Sequence, residues 1–184
     1  MKLSETALSG VYLISPDPYI DHRGLLRRHY CSRVMNEHGI EFLIRQTNIS
    51  ENTDVFTLRG FHFQLKPHQE SKQITCVRGS IFGVVLDMRA ESKTYKQWIH
   101  YECNGENRLS VIVPEGCASA YLTLEPDTWI LYYHSQYYQP GYEWGIRYND
   151  PQFLFEWPVE PAVISTKDAN YADFDDAVFS ETEI

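Results

Sequence analysis

Short apolar or alternating runs, separated by turn residues, fill most of the chain. Ten of them read as strands: "GVYLISP", "LLRRHYC", "EFLIRQTNIS", "FTLRGFHFQ", "KQITCVRG", "SIFGVVLDMR", "KQWIHYEC", "RLSVIVP", "ASAYLTL" and "TWILYYHSQYY". Some alternate polar with apolar positions, as "KQITCV" does, and so predict one wet and one buried face. "IFGVVL" is apolar on both faces and is expected in a central strand. "VRGSIF" predicts a tight hairpin with Gly79 at its turn. The one helix expected spans residues 32–39, with Ser32 as N-cap and Gly39 as its stop. Many short strands at this spacing predict an all-β fold, a jelly-roll sandwich or barrel with few short helices.

Composition narrows the picture. A chain of 184 residues predicts a single domain over 1–184, since domains commonly run to about 100–200 residues. Acid concentrates in "YADFDDAVFSETEI", so residues 171–184 are expected as a solvated acidic tail. The net charge of −9 argues against a nucleic-acid partner, which needs a basic face. No apolar run approaches membrane-spanning length and the first residues lack a signal-peptide core, so a cytoplasmic protein without a membrane partner is expected. Cys31, Cys76, Cys103 and Cys117 form no CxxC pair and are expected as free thiols. Against the acidic background, arginines gather at Arg23, Arg27, Arg28, Arg45 and Arg59.

The sharpest chemical candidate lies in "LRGFHFQ". Strict alternation puts Arg59, Phe61 and Phe63 on one face and His62 and Gln64 on the other. From spacing alone, His62 is either a hydrogen-bonded core histidine or a general base, because imidazole changes charge near working pH. A jelly-roll metal site would need a second imidazole at Gln64 and another at the end of "PEGCAS", where Ser119 stands. Without them His62, His68 and Glu70 make a poor donor set, and no metal is expected.

The motifs "TLRGFHFQLKPHQESKQITCVRGSIFGVVLDMR", "VPEGCAS", "YYHSQYYQPGYEWGIRYNDP" and "ISTKD", in order from about residue 9 to 170, closely resemble the dTDP-4-dehydrorhamnose 3,5-epimerase family. That resemblance implies a cupin-like jelly roll and epimerisation of a 4-keto-6-deoxy or related nucleotide-diphosphate sugar at C3, C5 or both, with no cofactor. It implies His62 as base, Asp168 as the carboxylate orienting it, Lys72 as the cation beside the enolate oxygen, and Tyr132 as the acid on the far face. Arg59, Gln46, Asn48 and Tyr138 match contacts to the ligand, with Arg59 reaching it only around a twist or bulge. Arg23 matches a residue contributed by a neighbouring subunit, which implies a homodimer with an exchanged N-terminal strand. A weak nucleotide-sugar binding protein and a keto-isomerase on the same fold are the other readings. Neither calls for the full set of His62, Asp168, Lys72 and Tyr132.

Three departures from the family pattern stand out. Ser119 replaces a histidine and Gly83 an aspartate, two side chains that would pair near the sugar. Losing both avoids leaving one buried and unpaired, and the expectation is a substrate pocket emptied at that end. Arg28 replaces a glutamate that accepts from the thymine N3–H. Arginine only donates, so a CDP-linked sugar becomes a candidate ligand, with a solvated or diphosphate-facing Arg28 as the alternative.

Overall fold

The computed structural model of the chain describes residues 1–180. The chain begins with β1 (Lys2–Glu5), β2 (Tyr12–Ser15), β3 (Tyr19–Asp21), β4 (Gly24–Leu26) and helix α1 (Ser32–Glu37). The central strands are β5 (Gln46–Asn52), β6 (Thr57–Gln64), β7 (Lys72–Arg78), β8 (Ser80–Asp87), β9 (Trp98–Asn104), β10 (Ser110–Val113), β11 (Cys117–Thr123) and β12 (Thr128–His134). β13 (Glu143–Gly145), β14 (Val163–Ile164), α2 (Thr166–Ala169) and α3 (Asp176–Ser180) follow.

Two sheets face each other, in the orders β1-β2-β10-β7-β12-β5 and β13-β6-β11-β8-β9, and β3 and β4 form a separate hairpin. Every pair is antiparallel except β14, which runs parallel to the start of β6. Ile74, Cys76, Val111, Val113 and Ile130 of the first sheet interlock with Ile81, Val85, Tyr101, Cys103 and Tyr121 of the second. This is the all-β jelly-roll sandwich expected. The outer face of the second sheet is also covered: Phe61, Phe63, Phe82, Val84 and Leu86 pack against Phe153, Phe155, Trp157 and Phe179. A strand covered on both faces needs apolar residues at both parities. All eight residues of β8 are accordingly buried.

Several local expectations change. β7 and β8 form no hairpin; they belong to opposite sheets. Gly79, at φ +77, is the corner between them, and a Cβ there would lie 2.2 Å from the Thr128 hydroxyl. In "LLRRHYC" pairing ends at Leu26, and in "EFLIRQTNIS" it begins only at Gln46. The intervening apolar residues pack around α1, where Met35 is fully buried and Tyr30 and Ile40 lean on it. Ser32 is the first helical residue rather than the cap. Cys31 holds the cap position, with no side-chain capping bond, while Gly39 takes φ +72 after the helix. "KLSE" was missed as a strand because it offers one apolar residue, Leu3, to the core. The acidic C-terminal stretch turns its carboxylates outward, yet Phe174 and Phe179 anchor it against the aromatic layer. Residues 181–184 of that stretch lie outside the described residues. All four cysteines are free thiols, three of them buried.

Candidate active site

A cavity of about 700 Å³ opens between the two sheets. Its geometry begins with an irregularity in β6. Tyr121 of β11 pairs with Arg59 but Ser119 pairs with His62, so β6 spends one residue more than β11 over the same span. Gly60 absorbs the extra residue at φ +116, where a Cβ would come within 2.6 Å of Ala120. Only glycine fits such a close approach at positive φ. The consequence corrects strict alternation: Arg59 and His62 both line the cavity, while Phe61 turns into the aromatic layer.

The edge of β6 carries two short partners. β13 pairs with residues 62–64 and β14 with residues 57–58. β14 delivers the chain directly to α2, whose N-cap Ser165 accepts from the Asp168 N–H at 3.0 Å. Asp168 is 3% exposed and faces β6. One carboxylate oxygen accepts from His62 Nε2 at 2.8 Å and the other from the Gly60 N–H at 3.3 Å. Burial alone would push the Asp168 carboxyl up, but these bonds and the neighbouring imidazole outweigh it and hold it below its ordinary value. A carboxylate at Nε2 fixes the proton there and leaves Nδ1 as the free lone pair. The ring of Tyr171 meets His62 edge-on at 6.5 Å.

The opposite wall comes from the first sheet. Lys72, 7% exposed, donates to the His62 carbonyl at 3.1 Å and pairs with Glu70 at 3.2 Å. That leaves one ammonium proton for a ligand. On β12, Tyr132 lies opposite Asn48 of β5 and Ile74 of β7. Burial, then the nearby phenols of Tyr121 and Tyr101, raise the Tyr132 hydroxyl well above its ordinary value, with Arg59 opposing. Tyr132 therefore keeps its hydroxyl proton at neutral pH. Arg59 donates to Asn52 at 2.9 Å.

Of the residues singled out in the sequence, His62, Lys72, Tyr132, Asn48, Arg59, Ser119 and Tyr138 line this one cavity, with Asp168 behind His62. Gln46 joins at its rim, donating to Asn48 at 3.3 Å and accepting from the Tyr138 N–H at 3.1 Å. Arg23 and Arg28 do not line it. Arg23 sits in the exposed turn of the β3–β4 hairpin, paired with Asp21 at 2.6 Å. Arg28 lines a separate hollow with Met1, Asp17 and Tyr19. The emptied pocket is half corrected. Ser119 does border the cavity, but Gly83 opens no space: the Tyr101 ring lies on it, where a Cβ would sit 2.2 Å from the ring. Among the described residues, the buried hydroxyl of Tyr101 has no hydrogen-bond partner.

Sequence reasoning missed a second histidine of the cavity. His134 bonds Glu70 through Nδ1 at 2.7 Å and stacks on Tyr132, ring centroids 5.6 Å apart. Its signal was present in the two-residue spacings Glu70/Lys72 and Tyr132/His134, each of which puts both members on one face. Among the described residues, no cluster of three or more histidine, cysteine or carboxylate side chains is placed to hold a metal.

Fold and site together define a β-sandwich with a histidine–carboxylate pair and a buried tyrosine on two walls of one cavity. The family described as dTDP-4-dehydrorhamnose 3,5-epimerase matches residues 5–176. The chain belongs to that family. A relative of that name from Methanothermobacter thermautotrophicus is 35% identical over 170 residues, covering 91% of each chain. A dTDP-4-dehydrorhamnose 3-epimerase from Streptomyces niveus is 30% identical, covering 91% of this chain and 81% of its own. The crystal structure of the Bacillus anthracis 3,5-epimerase, with TDP and PPi bound, superposes with a TM-score of 0.91 at 32% identity. It covers 94% of this chain and 99% of its own.

Proposed function

We propose that this chain epimerises a 4-keto nucleotide-diphosphate sugar by moving a proton at a carbon beside the ketone. The observation that carries this is the His62–Asp168 pair facing Tyr132 across one cavity, with Lys72 between the sheets. His62 removes the proton through its free nitrogen, and the C–H electrons pass onto the ketone oxygen as an enolate. Asp168 stabilises the imidazolium, and the remaining ammonium proton of Lys72 holds the enolate oxygen. Tyr132 then donates its hydroxyl proton to the opposite face and the ketone re-forms, so product is an isomer of substrate. The proton on His62 and the charge on Tyr132 are reset through solvent. Arg59, Gln46, Asn48 and Tyr138 bind the diphosphate end, Arg59 being suited to it by its forked donors.

The deciding experiment incubates 4-keto nucleotide sugars with the enzyme in deuterium oxide and follows C3–H and C5–H by NMR. Exchange at both carbons makes it a 3,5-epimerase, at one carbon a mono-epimerase, and at neither overturns the reading. His62→Asn should lower exchange by about 10³-fold, within the usual range of general-base loss. Unchanged exchange removes His62 from the role.

The nucleotide is read as a thymidine diphosphate, since the Bacillus anthracis relative holds TDP. A cytidine preference through Arg28 remains the rival. Calorimetry with dTDP, CDP, UDP and GDP separates them, and a clear dTDP preference ends the cytidine idea. The active form is proposed to be a homodimer in which the β3–β4 segment is exchanged. Tyr19, Ile20 and Leu26 stand 64–74% exposed there around Arg23, apolar surface of the kind that marks an interface. Sedimentation at micromolar concentration tests it, and a monomer with full activity would overturn it.

A further inference from the structure

The cavity contains a second histidine–carboxylate pair that the proton-transfer scheme does not use. His134 Nδ1 lies 2.7 Å from Glu70, and the ring rests nearly parallel on Tyr132, at 19°. Side chains of both residues are almost fully buried, 12% and 9% exposed. The imidazole is thus held in place at one nitrogen and along one face, as a preorganised ligand contact should be. Its other nitrogen, Nε2, meets the Asn48 amide at 3.4 Å, a long and weak bond. Glu70 meanwhile lies 3.2 Å from Lys72, so its charge is shared between a lysine and this ring. With burial opposing them, Lys72 and His134 keep the Glu70 carboxyl below its ordinary value. A carboxylate so placed is an acceptor, and it requires the proton of His134 to sit on Nδ1.

His134 lies between Lys72 and Gln46 in the ladder, directly opposite both. On the function proposed above, Lys72 faces the sugar ketone, and Gln46 and Asn48 face the diphosphate. The geometry points to His134 as a substrate-binding residue that contacts the phosphate nearest the sugar through Nε2, with Glu70 as its positioning residue. To donate from Nε2 while Nδ1 is bonded to Glu70, the ring must carry both protons. An anion at Nε2 favours that form, so binding draws in a proton. The other charged groups facing this space are Lys72 beside the ring and Arg59, His62, Glu51 and Glu143 around the cavity.

The test uses dTDP-glucose, which has no ketone to react and no phosphate proton titrating near neutral pH, against dTMP, which lacks the second phosphate. His134→Phe keeps a ring on Tyr132 but removes both nitrogens. It should weaken dTDP-glucose about ten-fold, the scale of a hydrogen bond to a charged group, and change dTMP less than two-fold. His134→Gln restores an N–H donor and should recover most of the loss. Calorimetry in buffers of different ionisation enthalpy should show proton uptake with dTDP-glucose that shrinks in His134→Phe and persists in His62→Asn. Unchanged dTDP-glucose affinity in His134→Phe overturns the inference, as does an equal loss for dTMP. Failure of the unaltered enzyme to bind either dTDP-glucose or CDP-glucose at all overturns the nucleotide-sugar reading itself, a distinguishable result.

Discussion

Asp87 and Asp168 are both buried carboxylates near the ends of strands or helices, and both are held below the ordinary carboxyl range, but their partners differ. Asp87, fully buried, spends its oxygens inside the fold: on the Arg89 N–H and guanidinium at 2.7–3.0 Å, the Ser92 and Thr94 hydroxyls at 2.6 Å and the Cys117 thiol at 3.8 Å. Arg89 goes on to the Ser9 carbonyl. Asp168 gives one oxygen to an imidazole whose second nitrogen faces a cavity. A lowered carboxyl therefore does not mark function by itself. What marks it is whether the partner has an unspent group pointing at open space. Glu70 passes the same test through His134 and Lys72.

Substituting each carboxylate sharpens the contrast. Asp168→Asn should cut the exchange rate at least about 10²-fold, since an amide neither stabilises an imidazolium nor enforces the tautomer. Its thermal midpoint should fall only modestly, and a large fall with retained rate would reverse the assignment. Asp87→Asn should do the converse, costing about 3 kcal/mol in urea unfolding by leaving Arg89 beside a neutral amide. The rate per folded molecule should be unchanged.

Acid separates the two further. The Asp87 carboxyl is held at about 2 against 3.8 unperturbed. Its depressed folded-state value means that its stabilisation is present above the unfolded value and disappears as pH falls toward 2. About 2 kcal/mol should be lost between roughly pH 4 and pH 2, and Asp87→Asn should flatten that stretch of the stability curve. An unaltered curve in the variant would place the acid sensitivity elsewhere.

The smallest effects concern the contact between Gly83 and Tyr101. Gly83→Ala drives a methyl into the Tyr101 ring and should destabilise by about 2 kcal/mol, with part of the loss recovered when Tyr101→Leu is added. Tyr101→Phe removes an unpartnered buried hydroxyl and should gain about 1 kcal/mol. A neutral Gly83→Ala would restore the picture of open space at Gly83.

Much of this site was legible before the fold. His62, Lys72, Tyr132 and Asp168 were marked by their motifs, and the structure brings the first three to one cavity with Asp168 behind His62. Arg59 was legible as a residue but misplaced by alternation, because a one-residue bulge at Gly60 leaves little trace in a period-two pattern. His134 and Glu70 went unrecognised as a pair because 64 residues separate them. Gly83 was read as a vacancy, since nothing in "SIFGVV" announces that Tyr101 on the next strand fills it.

By itself the sequence determined the alternation of short strands, the doubly buried β8 and the residue types available for proton transfer. Those properties are local: they depend on which face of an extended chain a residue occupies. The tertiary structure alone decided that β7 and β8 part into opposite sheets at Gly79, that Arg59 shares a wall with His62, and that Tyr101 covers Gly83. It also decided which buried carboxylate backs an imidazole that lines a cavity. Each of these turns on which strands become neighbours, and packing between distant segments settles that.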